Sequence, residues 1–326
     1  MSDLFAALSD DERALLAPAP APKAADAMKA VLTDARFSDP DWIFERKLDG
    51  IRCIAIKDES GVSLMSRTDR RMNDQFPEVA EALEREPAKR FVADGEVVAM
   101  RNGVSSFELL QQRHRRRVPI FYYVFDLPSL DGEDLRPLPL RERKARLRRA
   151  LDFEGPIRFN AHRKGEHGEE LFREACRKGL EGVIAKKADS PYTGKRSRDW
   201  LKLKCHGEQE LVIGGFTAPK GSRTDFGALL VGYNEGGELR YAGKVGTGFD
   251  RETLRELGAE LRGLEQDESP FAPFKPVPPG TRWVRPELVA QIGFAEWTRD
   301  GRLRHPRFLG LRDDKAAGDV VREVPS

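Results

Sequence analysis

The residues in this chain best suited to covalent chemistry lie in Glu45-Arg46-Lys47-Leu48-Asp49-Gly50-Ile51-Arg52. Lys47 sits at the exit of the apolar run Trp42-Ile43-Phe44, and the run Cys53-Ile54-Ala55-Ile56 follows. An Asp-Gly pair between two strand-like runs predicts a tight hairpin holding the lysine at a rigid bend. With an ordinary pKa of about 10.4, only about one lysine in a thousand is a free amine at neutral pH. Burial or neighbouring positive charge lowers that pKa and turns the amine into a nucleophile. Lys-x-Asp-Gly is a short pattern, equally compatible with an ordinary hairpin lysine, so the rest of the chain must supply partners.

Several charged clusters at strand ends could do so. Asp94-Gly95-Glu96 places acids at a break between two strand runs. Phe125-Asp126 closes an aromatic run, and Glu181-Gly182-Val183-Ile184-Ala185-Lys186 opens with an acid and ends with a lysine. In Trp200-Leu201-Lys202-Leu203-Lys204 two lysines share one strand face, because strand side chains repeat every second residue. Arg312-Asp313-Asp314-Lys315 lies near the C-terminus.

These clusters need a scaffold, and 326 residues suffice for about two domains. The chain is 39% hydrophobic and 34% charged, a globular composition with a heavily charged surface. Net charge is +2, split as −3 over the first sixteen residues and +5 over the rest, which leans towards a polyanionic partner. Cys53, Cys176 and Cys205 lie far apart with no CxxC pair, and read as separate small core residues in a reducing cytoplasm. No apolar run approaches membrane-spanning length, and no signal peptide is expected.

Residues 1–26 read as an N-terminal tail: a short helix capped by Ser9 and Glu12, then an extended linker, Ala17-Pro18-Ala19-Pro20-Ala21-Pro22. Between residues 27 and 206, strand patterns alternate with helices behind Pro77, behind a Ser105/Glu108 cap, over the basic Arg141–Arg149 stretch, and around Leu171-Phe172. Beyond Cys205-His206-Gly207, short strands between glycine turns and one helix capped by Asp250 suggest a small barrel of the OB type over residues 207–326. The class is therefore α+β, with antiparallel sheets and flanking helices followed by an all-β domain.

Taken in order, these clusters resemble the motifs of the covalent nucleotidyltransferases, specifically ATP-dependent DNA ligases. Lys47-Leu48-Asp49-Gly50-Ile51-Arg52 is similar to the first motif, Asp94-Gly95-Glu96 to the third and Tyr123-Val124-Phe125-Asp126 to its companion. Glu181 to Lys186, Trp200 to Lys204, and Arg312 to Lys315 are similar to the fourth, fifth and sixth. Phe107-Glu108-Leu109-Leu110-Gln111-Gln112-Arg113 and His305 to Arg312 most resemble the ligase module of bacterial end-joining ligases. The resemblance spans roughly residues 27–320, and agreement across six motifs is far more specific than any one.

The resemblance implies a role for each residue. Lys47 would attack the α-phosphorus of ATP, giving a lysyl-adenylate and pyrophosphate. Lys202 and Lys204 would neutralise the α-phosphate and depress the pKa of Lys47. Glu181, with Glu96, would hold a divalent metal, Mg or Mn. Glu96 and Arg52 would bind the ribose hydroxyls, Glu45 the adenine amino group, and Phe125 would stack on adenine; Lys186 would contact the nucleotide. Asp49 and Asp94 read as turn formers. Arg312 and Lys315 would orient the leaving pyrophosphate. DNA phosphates would be met by Arg113, Arg115, Arg116 and Arg117 and by Lys220 and Arg223, runs that serve equally as solvated faces. The implied partners are nicked or broken duplex DNA and a Ku-like end-binding protein; no membrane is involved and the chain is expected to be a monomer.

Two rivals remain at this level, a capping-type guanylyltransferase and a DNA-end-binding module with a dead nucleotide pocket. Gly243-Lys244-Val245-Gly246-Thr247-Gly248 imitates a phosphate loop but lacks the Walker pattern and reads as a strand end. His162 and His167 have no metal-ligand spacing and read as polar loop residues.

Overall fold

The computed structural model describes residues 3–20, 23–115, 117–219, 221 and 223–325. The chain divides into two compact units, Met1–Cys205 with Val324–Ser326, and His206–Glu323.

The first unit begins with α1 (Asp10–Ala14), whose Ser9–Glu12 capping box is formed as expected. The segment after it is not a free linker. β1 (Ala17–Pro18) pairs with a later strand, and Phe5 and Leu8 are buried against the main core. Both anchors belong to the short apolar run Leu4-Phe5-Ala6-Ala7-Leu8. Next come β2 (Lys29–Leu32), β3 (Trp42–Lys47), β4 (Ile51–Asp58), β5 (Gly61–Ser66), α2 (Pro77–Glu84), β6 (Phe91–Arg101) and β7 (Val104–Ser105). They are followed by α3 (Phe107–Gln111), β8 (Ile120–Leu130), β9 (Glu133–Asp134), α4 (Leu140–Ala150), β10 (Ile157–Phe159) and β11 (His162–Lys164). α5 (Gly168–Arg177), β12 (Gly182–Lys187) and β13 (Arg196–Lys204) complete the unit.

Two sheets result. The first runs β1-β9-β8-β6-β4-β5, with β10 added to β8 and β7 to β6; the second runs β11-β3-β12-β13-β2. The predicted hairpin at Lys47 is therefore absent. β3 belongs to the second sheet and β4 to the first, and Leu48-Asp49-Gly50 carries the chain across. Gly50 makes the crossing feasible, because a Cβ there would collide with the Val97 carbonyl and the Val98 side chain. Asp49 is not merely a turn former. Its carboxylate accepts the Phe107 N–H at 2.8 Å, fixing the start of α3, while the Ser105 hydroxyl accepts the Asp49 N–H at 3.0 Å. The N-cap of α3 is accordingly Ser106 rather than Ser105.

Each sheet buries one face under helices. The first sheet packs Cys53, Ala55, Val97 and Tyr122 into a core shared with α2, α3 and the end of α4. The second packs Phe44, Val183, Ala185 and Leu203 against Phe172 and Ala175 of α5. Met28, Phe125, Tyr192 and Trp200 join the remaining two faces, with Phe125 and Trp200 edge to face at 6.1 Å.

Cys176 and Cys205 do not stand apart as two core thiols. They form a disulfide joining the end of α5 to the residue after β13. Their sequence separation of 29 conceals a juxtaposition that β12–β13 pairing creates. In denatured, unreduced protein a thiol titration should find one reactive group, the buried Cys53, and three after reduction. Three thiols before reduction would contradict the bond.

The second unit contains β14 (Gly207–Thr217), β15 (Leu229–Glu235), β16 (Glu238–Val245), α6 (Arg251–Gly263), β17 (Glu265–Gln266), β18 (Thr281–Val284), β19 (Val289–Phe294), β20 (Glu296–Trp297), β21 (Leu303–Arg304) and β22 (Arg307–Leu311). The long β14 pairs with β15 and divides its other edge, with β19 alongside residues 207–212 and β18 alongside 215–217. One strand shared between two neighbours curls the sheet on itself, as the OB-type barrel requires. Asp250 caps α6 by accepting the Thr253 N–H. Among the described residues, no helix is long and apolar enough to cross a membrane.

Candidate active site

Strand register builds the site. Lys47, Gly182 and Lys204 align across β3, β12 and β13; Glu45, Ile184 and Lys202 form the next row, and Ile43, Lys186 and Trp200 the one after. Alternation then puts Glu45, Lys47, Lys186, Trp200, Lys202 and Lys204 on one face of the second sheet. Gly182 lets the rows meet, since a Cβ there would strike the Leu203 carbonyl. On β4 and β6, Arg52 lies opposite Glu96 and Ile54 opposite Asp94, on the face of the first sheet that carries Phe125.

The Lys47 amine is 2.5 Å from Glu181 Oε1 and is partly buried. Burial pulls its pKa down. The charge and hydrogen bond of Glu181, aided by Glu96 and Asp49, outweigh burial, and the amine is held above the ordinary lysine range. The expected depression of its pKa by Lys202 and Lys204 is therefore not realised in this arrangement. The adjacent Glu181 anion decides the sign.

Asp94 is not a turn former, and Asp94-Gly95-Glu96 is not a strand break. β6 runs through it with a register irregularity at Asp94. The buried Asp94 carboxylate takes both arms of the Arg52 guanidinium at 2.5 Å and the Tyr192 hydroxyl at 2.7 Å. Arg52 in turn stacks over Phe125 at 4.7 Å. Asp126 is equally buried and receives Arg143 in two hydrogen bonds, of 2.7 and 2.9 Å.

Glu45 is fully enclosed. Lys144 lies 2.6 Å from Oε1, and Lys186 lies 2.9 Å and the Asn160 amide 3.2 Å from Oε2. Burial alone would raise the carboxyl, but the two lysines hold it below its ordinary pKa. Burial also pushes the Lys186 ammonium down to about 8, and Lys144 adds to that, with Glu45 opposing. Lys186 stands over the rings of Phe125 and Trp200, at 4.3 and 4.0 Å. His162, placed by sequence in a polar loop, lies on β11 opposite Glu45.

Arg143, Lys144, Asn160 and Tyr192 were not singled out by sequence. Arg143 and Lys144 belong to the basic Arg141–Arg149 stretch, and no local signal marks their burial.

Arg312 and Lys315 lie in the second unit, where a buried Arg312 pairs with Asp314 at 2.8 Å rather than forming a solvated tail. Of the DNA-contact candidates, Arg113 donates to the Leu110 carbonyl and covers Phe76. Arg223 donates to the Gly227 and Gly246 carbonyls and lies over Phe249. Both guanidinium groups thus also brace their own units. Arg115 and Arg117 are exposed; Arg116 and Lys220 lie outside the described residues.

Among the described residues no three His, Cys, Asp or Glu side chains form a metal-ligand group. Glu181 and Glu96 both act on the Lys47 amine. A hard cation that keeps its waters and takes phosphate oxygens needs only one or two carboxylates. This pair fits such an ion and not a zinc-type centre.

A partly buried lysine among further lysines and carboxylates, with a barrel of the OB type later in the chain, is the architecture of the nucleotidyltransferase class. Two family models match: ATP dependent DNA ligase domain over residues 22–204, and ATP dependent DNA ligase C terminal region over 222–315. The chain belongs to the ATP-dependent DNA ligase family. It is 41% identical over 299 residues to the multifunctional non-homologous end joining protein LigD of Pseudomonas aeruginosa, covering 88% of this chain and 35% of that protein. Identity to a DNA ligase of Thermococcus fumicolans is 33% over 301 residues, covering 84% and 52%. Among solved structures, a mycobacterial DNA ligase D complexed with ATP and MES is 35% identical with a TM-score of 0.63, covering 90% of this chain and 98% of that one. The chain thus spans between a third and about half of the length of these two curated relatives.

Proposed function

We propose that this chain is an ATP-dependent DNA ligase that carries AMP on Lys47 and seals 5′-phosphate/3′-hydroxyl breaks. The observation that carries the reading is the Lys47–Glu181 contact in one row with Lys204, beside the row of Glu45 and Lys202. Lys202 and Lys204 bring positive charge to the α-phosphate as the Lys47 nitrogen bonds to its phosphorus and pyrophosphate departs. Lys47 must first give up its proton, and it becomes acidic enough only when Glu181 turns from the amine to another cation. Glu181 and Glu96 would hold that divalent ion, Mg or Mn, whose chemistry is to polarise the phosphate. Phe125 offers a ring for adenine, in competition with the Arg52 and Lys186 cations now against it. Arg52 and Glu96 take the ribose, with Arg52 aimed by Asp94. Arg312 and Lys315 act on the leaving pyrophosphate.

The adenylyl group then passes to a 5′-phosphate at the break, and the 3′-hydroxyl displaces AMP. Arg115 and Arg117 are the exposed candidates for DNA phosphates. The names of the LigD relatives support a place in bacterial end joining. In this reading a monomeric cytoplasmic enzyme receives breaks from a Ku-like protein. The residual domain assignment is residues 27–206 for nucleotide chemistry and 207–326 for the OB-type domain.

Intact mass after incubation with ATP and Mg should show one added adenylyl group, mapped to Lys47, with loss of the adduct on a nicked duplex that becomes sealed. Labelling from GTP and not ATP would point to the capping-type rival. No label from either would point to the inactive end-binding module.

A further inference from the structure

We propose that Lys144, on α4 and outside every motif that brought the site to notice, is a positioning residue that sets the choice of donor base. The inference rests on the ligase reading above and names the group that holds one of its contacts in place. Lys144 is 2% exposed. Its ammonium reaches Glu45 Oε1 at 2.6 Å, the Asn160 carbonyl at 3.1 Å and the Phe125 carbonyl at 3.3 Å, and covers the Phe159 ring at 4.6 Å. One cation therefore ties together the strand of Glu45, the strand of Phe125 and the turn at Asn160. Those are the carboxylate and the ring placed around the base.

The chemistry of selection follows from the carboxylate. An ionised carboxylate only accepts hydrogen bonds, with about four lone-pair directions. Lys144 occupies Oε1, while Lys186 and the Asn160 amide share Oε2. The one remaining direction, on Oε1, suits a donor, such as the 6-amino group of adenine. It repels an acceptor, such as the 6-oxo group of guanine. Every element packed around Glu45 contributes a charged or polar group: Lys144 from α4, Lys186 from β12, Asn160 from the turn before β11 and His162 from β11. Asp126 on β8 and Arg148 on α4 act at one remove, on Lys186 and His162. The burial of Glu45 favours its neutral form, and Lys144 is the first of the cations that oppose this. Without Lys144 the carboxyl would protonate at higher pH, become a donor, and lose its reason to prefer adenine.

The test is a cycle of Lys144→Met, Glu45→Gln and the double variant, read by lysyl-nucleotide formation from ATP and from GTP. Lys144→Met should raise the KM for ATP by about tenfold, with the limiting rate of adduct formation changed less than about threefold. The ATP-over-GTP ratio should fall, further as pH is lowered. In the Glu45→Gln background, Lys144→Met should leave the ratio and its pH profile unchanged, because it acts through the carboxylate. The double variant carries no unpaired buried charge at Glu45, so it keeps the comparison open if the single variant folds poorly. Equal and independent effects of the two substitutions, or an unchanged ratio in Lys144→Met, would overturn the proposal. Absence of adduct in the unaltered protein would instead overturn the ligase reading.

Discussion

Lys47→Ala should abolish adduct formation, with nick sealing from ATP reduced by at least about a thousandfold, as expected when a covalent nucleophile is removed. Two other amines on this face are placed away from Lys47. Lys204 is separated from Lys47 by the Gly182 row position, and Lys186 is held on Glu45. The same variant should still join a nick whose 5′-phosphate is already adenylylated, because that step needs a positioned 3′-hydroxyl and a leaving AMP, not the lysine. Intact mass and a nicked-duplex gel read both outcomes. Sealing from ATP at the unaltered rate would sink the mechanism. Loss of both reactions would mean that the side chain is chiefly structural.

The second large effect concerns stability. Arg143→Ala should cost about 3–5 kcal/mol, because it strands a buried Asp126 carboxylate and leaves the Leu138 and Ser190 carbonyls without their donor. For a unit of about two hundred residues this lowers Tm by roughly 6–20 °C. Calorimetry of the variant checks it, and a Tm within about 2 °C of the parent would contradict the burial. The pH dependence has a definite sign. Burial raises the Asp126 carboxyl, but Arg143 and, more weakly, Lys186 bring it below its ordinary value. The stabilisation from this carboxylate is thus fully present above the unfolded aspartate pKa of about 3.9 and fades as pH falls through the lower folded value. In Arg143→Ala the low-pH loss should shrink, since the folded state no longer favours the anion.

How far the sequence reveals the site depends on whether a residue's role is written in its neighbours. Lys202 and Lys204 could be placed on one face because strand alternation is local, and the caps of α1 and α6 could be read because a cap and its target lie three residues apart. Asp49-Gly50 misled because its local chemistry is that of a hairpin, while its use here, a crossing between sheets, depends on Val97 and Val98 far along the chain. Arg143 and Lys144 do not stand out from the basic stretch around them because their partners, Asp126 and Glu45, lie 17 and 99 residues away. Periodicity carries no record of such partners. The same holds for Asp94, whose acidic neighbourhood looks like a turn until Arg52 and Tyr192 arrive from 42 and 98 residues away. Long-range ion pairing is the part of this site that composition and spacing do not encode.

The crossing at Leu48-Asp49-Gly50 has a mechanical consequence. Lys47 ends a strand in one wall of the cleft, and Arg52 lies one residue into the opposite wall, so three residues form a spine along which the walls are bound. Asp49 further stitches that spine to the start of α3. The same two walls are pinned again by the buried cluster of Met28, Phe125, Tyr192 and Trp200, where the Tyr192 hydroxyl bonds Asp94. Lys47 thus sits on the strand end that the crossing itself anchors, and its place relative to Arg52 is set by three residues of backbone.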